Sequence, residues 1–78
     1  MKKTLEIVQE VVGYNIHIDI DTDLLQEGVL DSLGIVRLVG KIEDEFKIRI
    51  DVDDLIPENF VNVQAIDKLV GCGLRGNQ

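Results

Sequence analysis

Ser32 is the only serine in the chain, and it stands where the loop segment Gly28-Val29-Leu30-Asp31 gives way to a long amphipathic stretch beginning at Leu33. The ordinary use of a serine at such a boundary is a helix cap, because serine and aspartate oxygens accept the backbone N–H groups that a first turn leaves unpaired. Asp31 shares that reading. The alternative is a hydroxyl exposed for chemistry. A nucleophile acting in its own right needs a base, and the only histidine, His17, lies fifteen residues upstream in a loop, with no Gly-x-Ser-x-Gly elbow around Ser32. A hydrolase built on Ser32 and His17 therefore lacks its geometry. A helix N-terminus does favour an attached anion, through its dipole and its unpaired N–H groups. The neighbouring Asp31 carboxylate opposes a free phosphate on Ser32, since two adjacent anions repel.

The remaining reactive side chains offer less. Asp19-Ile20-Asp21-Thr22-Asp23 starts like a calcium loop, but Leu24 takes the place of the required glycine and Leu30 that of the closing glutamate. No metal site is expected. Cys72, the single cysteine, excludes an intrachain disulfide, is consistent with a reducing cytosol and reads as an incidental thiol.

The elements that must position Ser32 follow from hydrophobic spacing. Ile35, Leu38, Val39, Ile42 and Phe46 recur at three- and four-residue steps, which predicts a helix over Leu33 to Phe46 with one face in a core. Leu33 and Val36 fall off that stripe on the side of Ser32, so a small apolar patch is expected beside the hydroxyl. Gly34 and Gly40 weaken the helix by up to ~1 kcal/mol each relative to alanine. Leu5, Val8 and Val12 give a first helix from about Lys3 to Val12, ended by Gly13.

From Tyr14 to Leu30 the periodicity breaks. The reading is a long ordered loop pinned by Ile16, Ile18, Ile20, Leu24, Leu25, Val29 and Leu30, its length justified by the delivery of Ser32. Ile16, Ile18 and Ile20 alternate as a short strand would, and so do Lys47-Ile48-Arg49-Ile50, which leaves a two-stranded ribbon as the alternative fold. Asp51, Asp53 and Asp54 suit one acidic helical turn closed before Pro57. Asn62 caps a last helix carrying Val63, Ile66, Leu69 and Val70, with Gly71 as its stop and residues 71–78 as a flexible tail.

Seventy-eight residues make one domain, 1–78, too small for a deep catalytic cavity. With three aromatics and no tryptophan, the core must come from leucine, isoleucine and valine. The formal charge of −7 repels phosphate backbones and anionic lipid, which argues against nucleic acid and favours basic protein surfaces as partners. Glu6, Gln9 and Glu10 interrupt what would be the apolar part of a leader, and no run is long enough to span a bilayer. A cytoplasmic monomer is expected.

The segment Gly28-Val29-Leu30-Asp31-Ser32-Leu33 ahead of an amphipathic helix resembles the phosphopantetheine attachment site of acyl and peptidyl carrier proteins. The likeness takes in Asp23-Leu24-Leu25, Glu27-Gly28, Glu43-Asp44-Glu45-Phe46, Pro57-Glu58-Asn59-Phe60 and Val63-Gln64-Ala65-Ile66, nearly the whole chain. It implies an all-α fold, a small three- to four-helix bundle with a long first loop. It also implies a non-catalytic carrier whose Ser32 receives covalent 4'-phosphopantetheine from coenzyme A, the cargo riding as a thioester on the group's terminal sulfur.

A phosphopantetheinyl transferase would recognise Asp31 and bring its own magnesium. Partner contact would fall on Leu33, Val36, Arg37, Glu43, Asp44 and Ile50, with an adenylating ligase and downstream acyl-processing enzymes as the other partners. Arg37 and Lys41 stand where many fatty-acid carriers have acidic or neutral residues, and Glu27-to-Asn62 looks more like free-standing peptidyl and D-alanyl carriers, so an aminoacyl cargo is expected. The alternatives are a fatty-acid or polyketide carrier and an acidic adaptor of the same fold without a prosthetic group.

Overall fold

The computed structural model describes residues 1–76 and is all-helical: α1 (Lys2–Val12), α2 (Ser32–Phe46), two 3₁₀ turns (Val52–Asp54 and Pro57–Phe60) and α3 (Val63–Gly76). Ile7 and Val8 of α1, Leu38 and Ile42 of α2, and Val63, Ile66, Leu69 and Val70 of α3 meet in one core. Ile35, Val39 and Phe46 pack against its edge, so the stripe read from sequence is the face that α2 buries. Each such side chain contributes about 1.5–3 kcal/mol when fully removed from water.

Each main helix is bounded by local chemistry. Gly13 ends α1 with φ 103°, a conformation that favours glycine, and its N–H donates to the Gln9 carbonyl. Gln9 Nε2 then donates to the carbonyls of Gly13 (2.8 Å) and Ile16 (2.6 Å), fastening the start of the loop to the helix it leaves. Lys47 closes α2 in the left-handed region at φ 56°. Asn62 caps α3 as expected, its Oδ1 accepting from the Ala65 amide at 2.8 Å.

The long first loop holds its shape through backbone and core together. Leu24 N–H donates to the Val61 carbonyl (2.7 Å), Gln64 N–H donates to that of Ile20 (3.2 Å), and the Leu24 carbonyl accepts from Val29 and Leu30. Ile18, Leu24 and Leu30 are buried, whereas Ile16 and Ile20 are 36% and 38% exposed. The isoleucine alternation therefore pins the loop at one residue. Among the described residues no strand forms, and Lys47-Ile48-Arg49-Ile50 is a connection anchored by buried Ile48.

Two boundaries differ from the sequence reading. Pro57–Phe60 is a second 3₁₀ turn, begun by a proline whose fixed φ suits a first helical position and whose missing N–H is not needed there. Gly71 does not stop α3, which continues to Gly76, so the expected tail is helical through that residue; 77 and 78 lie outside the described residues. The physical reason lies at Gly73, where an added Cβ would stand 2.8 Å from Ile48 Cδ1. That glycine lets α3 run close over the α2–α3 connection, and its packing outweighs the helix penalty of about 1 kcal/mol.

Among the described residues Thr4 is the one buried polar side chain. Its Oγ1 donates to Asp67 Oδ1 at 2.7 Å, linking α1 to α3. The exposed pairs Lys3–Glu45 (3.2 Å) and Lys41–Glu10 (3.1 Å) link α1 to α2 and are worth at most about 1 kcal/mol each. Gly40, exposed on α2, would meet nothing within 4 Å if it carried a Cβ. Gly40→Ala is accordingly expected to raise stability by up to ~1 kcal/mol, read as a higher denaturation midpoint with an unchanged slope.

Candidate functional site

Ser32 is the first residue of α2, and Asp31, extended at φ −113°, is its cap. The Asp31 Oδ1 accepts from the Gly34 amide at 2.8 Å and its carbonyl accepts from the Ile35 amide at 2.9 Å. The capping role open to either residue thus falls to Asp31, and Ser32 is left exposed with no hydrogen bond on its hydroxyl among the described residues. The N–H groups of Ser32 and Leu33 likewise find no acceptor among the described residues, so the end of the helix keeps two donors for an anion. Asp31→Ala should cost about 1 kcal/mol, seen as a lower thermal midpoint, without disturbing the Ser32 hydroxyl.

The approach to Ser32 is rigid on its inner side. Gly28 turns the chain at φ 73°, a position that strains other residues. Leu30 is then buried, and a Cβ on Gly34 would come within 3.0 Å of its Cδ1. Gly34, which sequence alone marks as a weak point of the helix, is the space that Leu30 occupies. Its chemistry gives no such signal without the fold.

The patch expected beside the hydroxyl is present: Leu33 and Val36 are each 65% exposed. Arg37 and Asp44 are exposed farther along α2, and neither has an ion pair among the described residues. Val36, Arg37, Gly40 and Asp44 line a groove of about 450 Å³ that α1 completes with Glu10 and Val11.

Glu43 and Ile50 are placed differently from these residues. Glu43 is half-buried and its Oε2 accepts from the Ile50 amide at 2.9 Å, while the Ile50 side chain packs on the core edge. They hold the end of α2 to the following connection, about 16 Å along the helix from Ser32.

His17 Nε2 lies 3.4 Å from Asp19 Oδ1 with its side chain 87% exposed, and no hydrogen bond joins it to Ser32. Asp23 Oδ1 accepts from the Gln26 amide, so that carboxylate serves the turn. Cys72 is exposed on α3. No helix among the described residues is long and apolar enough to cross a membrane.

Comparison with known proteins agrees with this geometry. The family model described as "Phosphopantetheine attachment site" matches residues 2–66. The D-alanyl carrier protein of Streptococcus suis (strain 98HAH33) is 38% identical over 62 residues, 80% of this chain and 78% of that protein. That of Streptococcus sanguinis (strain SK36) is 36% identical over 52 residues, 67% of this chain and 66% of that protein, just under two thirds of its length. No solved structure matches significantly. An all-helical bundle that presents an exposed serine on a capped helix, matched over most of its length, is a member of the acyl and peptidyl carrier protein family, with 4'-phosphopantetheine as its covalent prosthetic group.

Proposed function

We propose that Ser32 carries the phosphopantetheine and that the cargo is an aminoacyl group, D-alanyl first among the candidates. The observation that carries the attachment is the division of labour at the start of α2: Asp31 caps the helix, which leaves the only serine exposed and its hydroxyl unengaged. The residues fit the group. The uncapped amides of Ser32 and Leu33 suit a phosphodiester, and the exposed Leu33 and Val36 give the pantetheine an apolar margin. When bound, the group supplies a thiol that holds the acyl unit as a thioester.

The aminoacyl reading is supported by the naming of the relatives, D-alanyl carrier proteins. A phosphopantetheinyl transferase, an adenylating ligase and a downstream acyl-processing enzyme are the partners. They meet Asp31, Leu33, Val36, Arg37 and Asp44, and beyond these Glu43 and Ile50, whose contact holds the end of α2 to the following connection. The chain itself catalyses no step and provides the address.

The test is loading of the modified protein with ATP, an amino-acid-activating ligase and a set of amino acids, read by intact mass. The expected result is a gain of one aminoacyl unit, largest with D-alanine, reversed by hydroxylamine as a thioester would be. Loading by fatty-acyl donors alone would overturn the cargo assignment.

A further inference from the structure

Ser32, Val36, Gly40 and Asp44 are spaced four apart, so they form one inclined ridge along α2. Val36 is exposed next to Ser32, Gly40 has no side chain and Asp44 is exposed at the far end. The last three of these line the groove of about 450 Å³ together with Val11 of α1. Glycine lowers helix stability, yet at Gly40 there is no positive φ and no atom within 4 Å of an added Cβ. Neither the backbone nor the packing of this chain asks for glycine there. Its effect is to leave a trough between Val36 and Asp44.

We infer that this trough receives the pantetheine arm attached to Ser32 and, when the arm is charged, sets the ammonium of the aminoacyl cargo against the Asp44 carboxylate. The inference rests on the attachment and cargo assigned under the proposed function.

Reach and charge both select this occupant. From the Ser32 oxygen to the amino nitrogen of an aminoacyl-pantetheine there are about seventeen covalent bonds, about 20 Å when extended at the ~3.5 Å per three bonds of an extended chain. Asp44 lies twelve residues from Ser32, about 18 Å along the helix axis. Across the groove Glu10 is already paired with Lys41 at 3.1 Å, whereas Asp44 has no ion pair among the described residues. A cationic cargo end therefore finds its counterion at the distance the arm spans. A neutral acyl end would gain nothing from Asp44, and an anionic one would be held short of it by Arg37, which lines the same groove nearer Ser32. Val11 and Val36 offer the arm's apolar middle a surface.

The experiment compares backbone amide NMR spectra of ¹⁵N-labelled protein in three forms: unmodified, phosphopantetheinylated, and carrying a D-alanyl-pantetheine whose thioester is replaced by a stable amide. Each form is verified by intact mass. Modification is expected to shift the signals of Val11, Val36 and Gly40, and the charged form to add a shift at Asp44.

Gly40→Leu should abolish the responses at Val11 and Val36 while Asp31 and Leu33 still respond. Asp44→Asn should remove only the part specific to the charged form, seen at Gly40 and Lys41. Responses confined to Asp31–Leu33 in fully modified protein would overturn the inference, leaving the trough to a partner protein and the attachment intact. A protein that gains no mass would instead overturn the attachment itself.

Discussion

Ser32→Ala is expected to fold as the wild type does and to accept no phosphopantetheine. On the proposed assignment, attachment would form a bond between the Ser32 oxygen and the phosphorus of coenzyme A that bears the pantetheine, break the pyrophosphate bridge, release adenosine 3',5'-bisphosphate and give the hydroxyl proton to a base on the transferase. Alanine has no atom for that bond, so the loss is complete. The fold should be indifferent. Ser32 is exposed at the first helical position, and the side-chain cap of the first turn, on the Gly34 amide, comes from Asp31 and not from Ser32. Substitution at such a site usually stays within about 0.5 kcal/mol. Circular dichroism and a denaturation curve check the fold, and intact mass checks the modification. Incorporation in Ser32→Ala equal to wild type would remove Ser32 from the site.

The largest effect on stability is expected at Phe60. Its ring is 0% exposed and is the largest fully buried side chain among the described residues, inserted from the turn Pro57–Phe60 into the core that the three helices share. Truncation of a buried phenylalanine to alanine costs about 3–5 kcal/mol, through lost transfer energy and the cavity left behind. A domain of this length has about 4–12 kcal/mol in total at the usual 0.05–0.15 kcal/mol per residue. Phe60→Ala should therefore lose about a quarter or more of its stability and populate unfolded chain at moderate temperature. Urea denaturation is the check, and a loss below about 1 kcal/mol would show that the ring is not the keystone its burial indicates.

The parts of this fold that are legible in the sequence are those set by local chemistry. The stripes of Leu5, Val8 and Val12 and of Leu38, Val39 and Ile42 repeat at the helical period, and Gly13 and Asn62 do at the helix ends what their backbone and side-chain preferences dictate. Exposure of Leu33 and Val36 follows from the same periodicity, since both fall off the buried face. What was not legible depends on residues distant in sequence. Thr4 is buried because Asp67, sixty-three positions away, accepts its hydroxyl. Gly71 reads as a stop, yet α3 runs on past it, with Ile48 packed where a Gly73 side chain would be. The isoleucines at 16, 18 and 20 alternate as a strand does, but no neighbouring strand exists among the described residues to pair with them.

At the site, spacing pointed to Ser32 but could not divide the capping role between Asp31 and Ser32, which only the geometry at Gly34 resolves. Glu43 reads as one of a run of acids on the helix face; that its carboxylate also accepts from the Ile50 amide, seven positions on, required the fold. Gly40 was legible as a weak point of the helix. Its open surroundings and its place on the Ser32–Asp44 ridge required the fold.

The most direct measurement is peptide mapping of the wild-type chain after incubation with coenzyme A and a broad-specificity phosphopantetheinyl transferase. The expected result is a single phosphopantetheinyl unit on the peptide containing Asp31-Ser32-Leu33, located on Ser32 by fragmentation. An unmodified chain that is folded and has been offered several transferases, or a unit found on any other residue, would contradict the assignment of Ser32 as the residue that carries the cargo.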